Sequence, residues 1–146
     1  FADEYFDNVF CSEVFEHVFN IDELLPEINR VLKRGGHLCF TCPFVLDEHE
    51  QPYDYARYTS FAIEHLLSTN GFKLVKLRKS TVYIETVMQM LSSYIFQHVL
   101  PKNNYIKLMF TPLLVAPINI LGKVLSKILP KNENFYHNNI VVAEKL

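Results

Sequence analysis

An α/β fold with mostly parallel strands, interrupted by one apolar helical insertion, is what this sequence predicts. Three observations lead there. Apolar runs at Asn8–Cys11, His37–Cys42 and Phe72–Lys79 alternate with stretches whose apolar residues recur at helical spacing. A strand–helix–strand–helix–strand order is the signature of parallel strands joined by crossover helices. Between Thr81 and Pro130 that alternation stops, and two long apolar helical stretches take its place.

Composition narrows the class further. The chain has 146 residues, of which 49% are hydrophobic and 21% charged, enough apolar surface for a core and too much for wholesale disorder. A net charge of -2 leaves no electrostatic footprint for nucleic acid. Cys11, Cys39 and Cys42 are an odd-numbered set inside apolar runs, which suits buried reduced thiols in a cytoplasmic protein. Cys39 and Cys42 have C-x-x-C spacing, but Pro43 and the strand-like setting argue against a zinc or redox pair. His17, His49 and Glu50 are conceivable metal ligands, but no tight spacing supports them and no metal site is expected. No signal peptide is visible. The chain begins at Phe1, without methionine and close to its first strand, so it is read either as an excised segment or as one that has lost something upstream.

Each element has a local cause. Asp7-Asn8 is turn-prone and introduces a short buried strand, Asn8–Cys11. A loop, Ser12–Asn20, follows. In "IDELLPEINRVLKRGG" the residues Leu25, Ile28 and Leu32 form a helical stripe. Pro26 fits best in a first helical turn, which predicts a separate tight turn over Ile21–Leu25. Lys33 and Arg34 suit the negative end of the helix dipole, and Gly35 the left-handed position after it. "HLCFTCPF" reads as a second buried strand stopped by Pro43. A helix starting at Thr59 or Ser60 and ending at Gly71 leads to the strand Phe72–Lys79, and "NNIVVAEKL" closes the chain as a last strand. The predicted division is 1–80 as a partial α/β core, 81–131 as the helical insertion, and 132–146 returning to the core.

With these elements in order, "FDNVFCSEVFEHV…LLPEINRVLKRGGHLCFTCPF" closely resembles the second half of class I S-adenosylmethionine-dependent methyltransferases. In that family a strand ending in an "SE-x-x-EH" loop precedes a helix ending "RVLKxGG" and another strand. The resemblance covers Phe6 to about Lys79 and extends to the final strand. It implies a Rossmann-like sheet whose last strand is antiparallel and slipped between two others. It also implies S-adenosylmethionine as cofactor. The family's glycine-rich loop, and the acid that grips the cofactor ribose, belong to earlier strands and have no counterpart here. This segment alone is therefore expected to be inactive, and to bind the cofactor weakly or not at all.

Two loops carry the candidate site. Ligands of open α/β sheets bind outside the carboxyl ends of the strands. Cys11, Ser12, Glu13 and Val14 sit at such an end, with His17 beside them, and are read as a cofactor wall acting largely through backbone groups. Glu16 is read instead as a cap on the following turn. The second loop, "EHEQPYDYARYTS", follows the next strand's carboxyl end. His49 and Glu50 are the candidate bases for a hydroxyl acceptor, with Tyr53, Tyr58 and Arg57 as orienters, Arg57 suiting an acidic or phosphorylated substrate. Arg57 has a second reading, as an ion pair with Asp54 that packs the loop. Similar "P-Y-D-x-x-R-Y-T" loops occur in some methyltransferases near sugar and polysaccharide biosynthesis. The implied acceptor is an oxygen or nitrogen of a small, sugar or lipid-linked molecule.

The insertion has three readings: a lid, a dimer interface, or a surface that dips into a membrane. Lys102, Lys107, Lys123, Lys127 and Lys131 flank its apolar cores, as in interfacial helices. The uncharged run Leu108–Gly122 is shorter than a bilayer span, and Pro112 and Pro117 are expected to break it. An exposed first-strand edge predicts a homodimer or upstream sequence covering it. The rival to an enzyme is a non-catalytic, truncated module serving assembly or membrane-surface binding.

Overall fold

A computed structural model describes residues 1–146. Four strands form one sheet: β1 (Phe6–Ser12), β2 (Leu32–Pro43), β3 (Phe72–Lys79) and β4 (Asn138–Lys145), in the order β1-β2-β4-β3. β1 and β2 are parallel, whereas β4 runs antiparallel to both β2 and β3. The last strand thus enters between the second and third, as the sequence predicts.

β2 is the spine of the core. Leu38, Phe40 and Cys42 alternate inward along it and are buried, meeting Val141 and Ala143 of the neighbouring β4. Helices α1 (Ile21–Val31) and α2 (Ser60–Thr69) contribute Leu25, Ile28, Ile63 and Leu67 to the same core. Phe15 stacks on Phe40 at 4.4 Å between ring centroids and seals its end nearest the candidate loops. β1 differs from the buried strand expected. It lies at the sheet edge, and Phe10 is 73% exposed, because only β2 pairs with it.

Two local expectations are corrected. α1 starts at Ile21, not after Pro26. The amides of Glu23 and Leu24 already bond the Asn20 carbonyl, so the first turn forms without the proline. Pro26 lies on the exposed face, where the carbonyl it leaves unpaired, that of Asp22, can be solvated. Gly35 does take a left-handed conformation, φ +73°, but within a bulge of β2 rather than at a helix end. Lys33 and Arg34 accordingly face acids, not a helix terminus: Lys33 Nζ is 2.8 Å from Asp7 and Arg34 Nε 4.0 Å from Glu4.

By compactness the chain divides into one unit of Phe1–Ser80 with His137–Leu146 and another of Thr81–Tyr136. The second contains α3 (Tyr83–Tyr94), a π-helical turn (Ile95–Val99) and α4 (Asn104–Ile128). α4 runs unbroken through Pro112 and Pro117, contrary to expectation. In an exposed apolar helix the lost bonds are few, and Thr111 Oγ1 donates to the Lys107 carbonyl at 2.7 Å beside the first proline. α3 and α4 approach closely at Gly122, where an added Cβ would lie 3.0 Å from Met88 Cβ. Glu85 accepts from Ser126 at 2.7 Å and from Lys123 at 3.1 Å across the same helix pair.

Candidate functional site

Beyond the carboxyl ends of β1 and β2 lies a pocket of about 520 Å³ lined by Glu13, His17, His49, Glu50 and Tyr53. The two loops singled out from the sequence therefore meet. Three hydrogen bonds join them. His17 Nδ1 donates to the Tyr53 carbonyl at 2.6 Å, and the Glu16 carbonyl accepts from the amides of Tyr55 (2.8 Å) and Ala56 (3.2 Å). A 3-10 turn over Phe15–His17 supplies these groups, because Phe15 turns inward and leaves His17 facing the loop.

Glu13 and Glu50 both adopt φ +51°. A left-handed glutamate is uncommon and costs of order 1–3 kcal/mol, a strain concentrated at functional sites. Here two such residues share one pocket. The Glu13 amide donates to the Thr41 carbonyl at 3.0 Å and its carboxylate accepts from Asn138 Nδ2 at 2.8 Å, so β2 and β4 fix its direction. Ser12 and Thr41 share a hydroxyl hydrogen bond of 3.1 Å. Cys11 is half-buried and Val14 exposed at the same strand end.

His49 is positioned from behind by Asp54. Its amide donates to Asp54 Oδ2 at 2.9 Å, and its Nδ1 lies 3.4 Å from that oxygen and 3.2 Å from the Asp47 carbonyl. A proton on Nδ1 satisfies both acceptors and leaves the Nε2 lone pair unshared. Asp54 is in turn held by Arg57 through two bonds, of 2.6 and 2.7 Å. Arg57 is not among the residues lining the pocket of Glu13, His17, His49, Glu50 and Tyr53, and borders a separate hollow with Leu46, Glu48 and Asp54. All its donors are spent inside the loop, on Asp54 and on the carbonyls of Leu46, Asp47 and Ala56. The hydrogen bonds and charge of Arg57 hold the Asp54 carboxyl well below the usual carboxylate range.

Glu16 is the residue the sequence reading undervalued. It caps nothing: its carboxylate is fully buried and neither oxygen has a hydrogen-bond partner. Burial, reinforced by the negative Glu13, raises its pKa. The Asp54–Arg57 ion pair was anticipated as the second reading of Arg57; the contact of Asp54 with His49 and that of Asn138 with Glu13 were missed, since they appear only where separate segments meet. The C-x-x-C pair is settled by geometry. Residues three apart on a strand face opposite sides, so Cys39 is half-buried while Cys42 is buried, and all three cysteines are free.

Comparison with known proteins agrees with the fold. A family profile described as "Methyltransferase domain" matches residues 1–40. Solved structures extend the likeness to the whole chain. This is the class I methyltransferase fold. Haemonchus contortus phosphoethanolamine N-methyltransferase 2, complexed with phosphomonomethylethanolamine and S-adenosylhomocysteine, superposes with a TM-score of 0.57 at 20% identity, over 99% of this chain and 34% of that one. A SAM-dependent methyltransferase from Archaeoglobus fulgidus gives 0.54 at 18% identity, over 98% and 61%. The [4+2]-cyclase SpnF gives 0.56 at 18% identity, over 99% and 51%. The chain thus spans between about a third and two thirds of the length of these structures. No curated protein matches its sequence. The cyclase shows that the methyltransferase fold by itself does not fix the reaction.

Proposed function

We propose that this chain forms the acceptor side of an S-adenosylmethionine-dependent methyltransferase acting on an oxygen or nitrogen of a small-molecule, sugar or lipid-linked acceptor. The observation that carries this reading is the pocket of Glu13, His17, His49, Glu50 and Tyr53 at the strand ends of a methyltransferase fold. S-adenosylmethionine supplies an electrophilic methyl group, so the protein has only to bind it, aim the acceptor and take a proton. Cys11 to Val14 form the cofactor wall. The Glu13 amide is already used by Thr41, so this stretch offers carbonyls and a carboxylate, which suit an ammonium or an adenine amine. His49 Nε2 faces the acceptor's proton, Tyr53 orients the acceptor, and Glu50 lies beside them. Arg57 acts through Asp54 rather than on substrate. In the full-length protein His49→Ala slows turnover by about 10²–10⁴-fold and leaves cofactor affinity unchanged. Weakened cofactor binding with normal turnover would place His49 in the cofactor wall instead.

A second reading concerns the helical unit, whose occupant we take to be a lipid surface rather than a lid partner or a second copy. α4 is 25 residues long, has a mean hydropathy of 1.7 in its most apolar window, and only 6% of that window is buried. At 1.5 Å per residue it measures about 37 Å, enough to reach across a hydrocarbon core. Leu108, Leu113 and Ile120 are each more than 60% exposed, with Lys123 and Lys127 following them. Flotation with anionic phospholipid vesicles tests this: the chain co-floats, and Leu113→Glu with Ile120→Glu abolishes it. A protein that stays at the bottom of the gradient, or dimerises through these residues, removes the membrane reading.

A further inference from the structure

We propose that Glu16, His17 and His49 bind a divalent first-row transition-metal ion, with Zn²⁺ the natural fit. One ligand atom from each lies within 4.8 Å of those of the other two. Ligands held about 2.0–2.2 Å from a common ion stand roughly 3.5 Å apart, so small side-chain rotations close the set.

Three independent features favour an ion over a merely polar corner. First, both imidazoles present Nδ1 to backing acceptors, the arrangement that ligation through Nε2 of a neutral ring requires. His17 Nδ1 donates to the Tyr53 carbonyl and His49 Nδ1 faces the Asp47 carbonyl and Asp54, which leaves both Nε2 lone pairs free. Carbonyl or carboxylate backing of this kind is how metal-binding histidines are usually oriented. Second, Glu16 is a fully buried carboxylate with no hydrogen-bond partner, and its Oε1 is 3.8 Å from His17 Nε2. That is too far for a hydrogen bond, and two lone pairs facing each other are repulsive without a cation between them. Third, the imidazole rings approach edge to face at 4.7 Å between centroids, close enough for one nitrogen of each to reach a common ion.

Two nitrogens and one carboxylate oxygen suit Zn²⁺, Mn²⁺, Fe²⁺ or Co²⁺ better than Ca²⁺, which prefers an all-oxygen shell. Glu13 and Glu50 line the same pocket and supply further oxygens. Three protein ligands leave positions open toward the pocket, where a hydroxyl or carboxylate oxygen of an acceptor can sit. That consequence rests on the methyl-transfer reading; metal binding itself does not. In the loaded protein the His49 lone pair is committed to the ion, which then takes over the polarisation of the acceptor.

Co²⁺ titration of the 146-residue chain at pH 7.5, without S-adenosylmethionine, tests the site by visible absorption. One equivalent binds saturably and is displaced by Zn²⁺. Glu16→Gln, His17→Gln and His49→Gln each weaken binding by at least tenfold. Asp54→Asn, which disturbs only the backing of His49, weakens it by about 10–100-fold. His65→Gln, on α2, leaves it unchanged. Far-UV circular dichroism checks that each variant is folded, and the half-exposed His17 and His49 make their variants the safer pair. Absence of saturable binding, or equal affinity in folded His17→Gln and His49→Gln, overturns the proposal. Because no cofactor is present, the titration reads metal binding alone, separately from methyl transfer.

Discussion

His17 Nδ1 donates to the carbonyl of Tyr53 across 2.6 Å, and this bond joins the loop after β1 to the loop after β2. A net hydrogen bond contributes about 0.5–1.5 kcal/mol. His17→Phe keeps the ring and removes the donor. We expect hydrogen exchange at the Tyr55 and Ala56 amides, which bond the adjacent Glu16 carbonyl, to accelerate by about 3–10-fold while the β2–β4 ladder stays protected. Unchanged exchange at those amides would mean the loop is ordered by Arg57 alone.

The Asp54–Arg57 pair makes the same loop sensitive to acid. Asp54 has a side chain only 5% exposed, and its folded pKa is depressed, chiefly by hydrogen bonds from Arg57. A depressed carboxyl contributes stability that is fully present above its unfolded value, near 3.9, and is lost as pH falls through the folded one. Thermal unfolding followed from pH 6 to pH 2 should therefore show a steeper loss in the wild type than in Asp54→Asn. At neutral pH Asp54→Ala costs about 2 kcal/mol, toward the low side because Arg57 retains 24% exposure.

Cys42 gives the opposite sign. Burial, helped by the negative Glu16 and Glu13, pushes its thiol from 9.0 up to about 12. A raised thiol pKa favours folding below pH 9 and loses that contribution as pH rises from about 9 toward 12. At pH 8 iodoacetamide should leave Cys42 unmodified in the folded chain, whereas in urea all three cysteines react. Modification of Cys42 at the rate of Cys39 in the native protein would contradict its burial.

Gly36 allows β1 to approach the bulge in β2. An added Cβ would lie 2.8 Å from the Lys33 carbonyl oxygen and 2.9 Å from that of Asp7. Backbone atoms cannot rotate away, so Gly36→Ala should destabilise by about 1–3 kcal/mol, read as a lower urea midpoint with unchanged slope. Gly35→Ala meets nothing nearer than 4.0 Å and pays only for its φ of +73°, about 1 kcal/mol. If Gly35→Ala costs more than Gly36→Ala, conformation rather than contact governs this turn.

What the sequence determined by itself was local and periodic. Alternation along Leu38, Phe40 and Cys42 marks β2, the stripe Leu25–Ile28 marks α1, and Thr59 announces α2 by accepting from the Ala62 amide at 3.1 Å. The strand order followed from the family resemblance joined to these elements. Where local rules failed, the environment outweighed them: Pro26 stays inside α1 because it lies on the exposed face, where the carbonyl it leaves unpaired can be solvated. Only the tertiary structure decided the site. Glu16 and His49 are 33 positions apart, and no spacing rule links a buried carboxylate in one loop to an imidazole in the next. The same holds for Arg57, whose donors turn inward only because the loop folds around Asp54. Periodicity reports which face of an element meets the core; which polar atoms are left without partners depends on where separate loops converge, and that is fixed by the packing of the whole sheet.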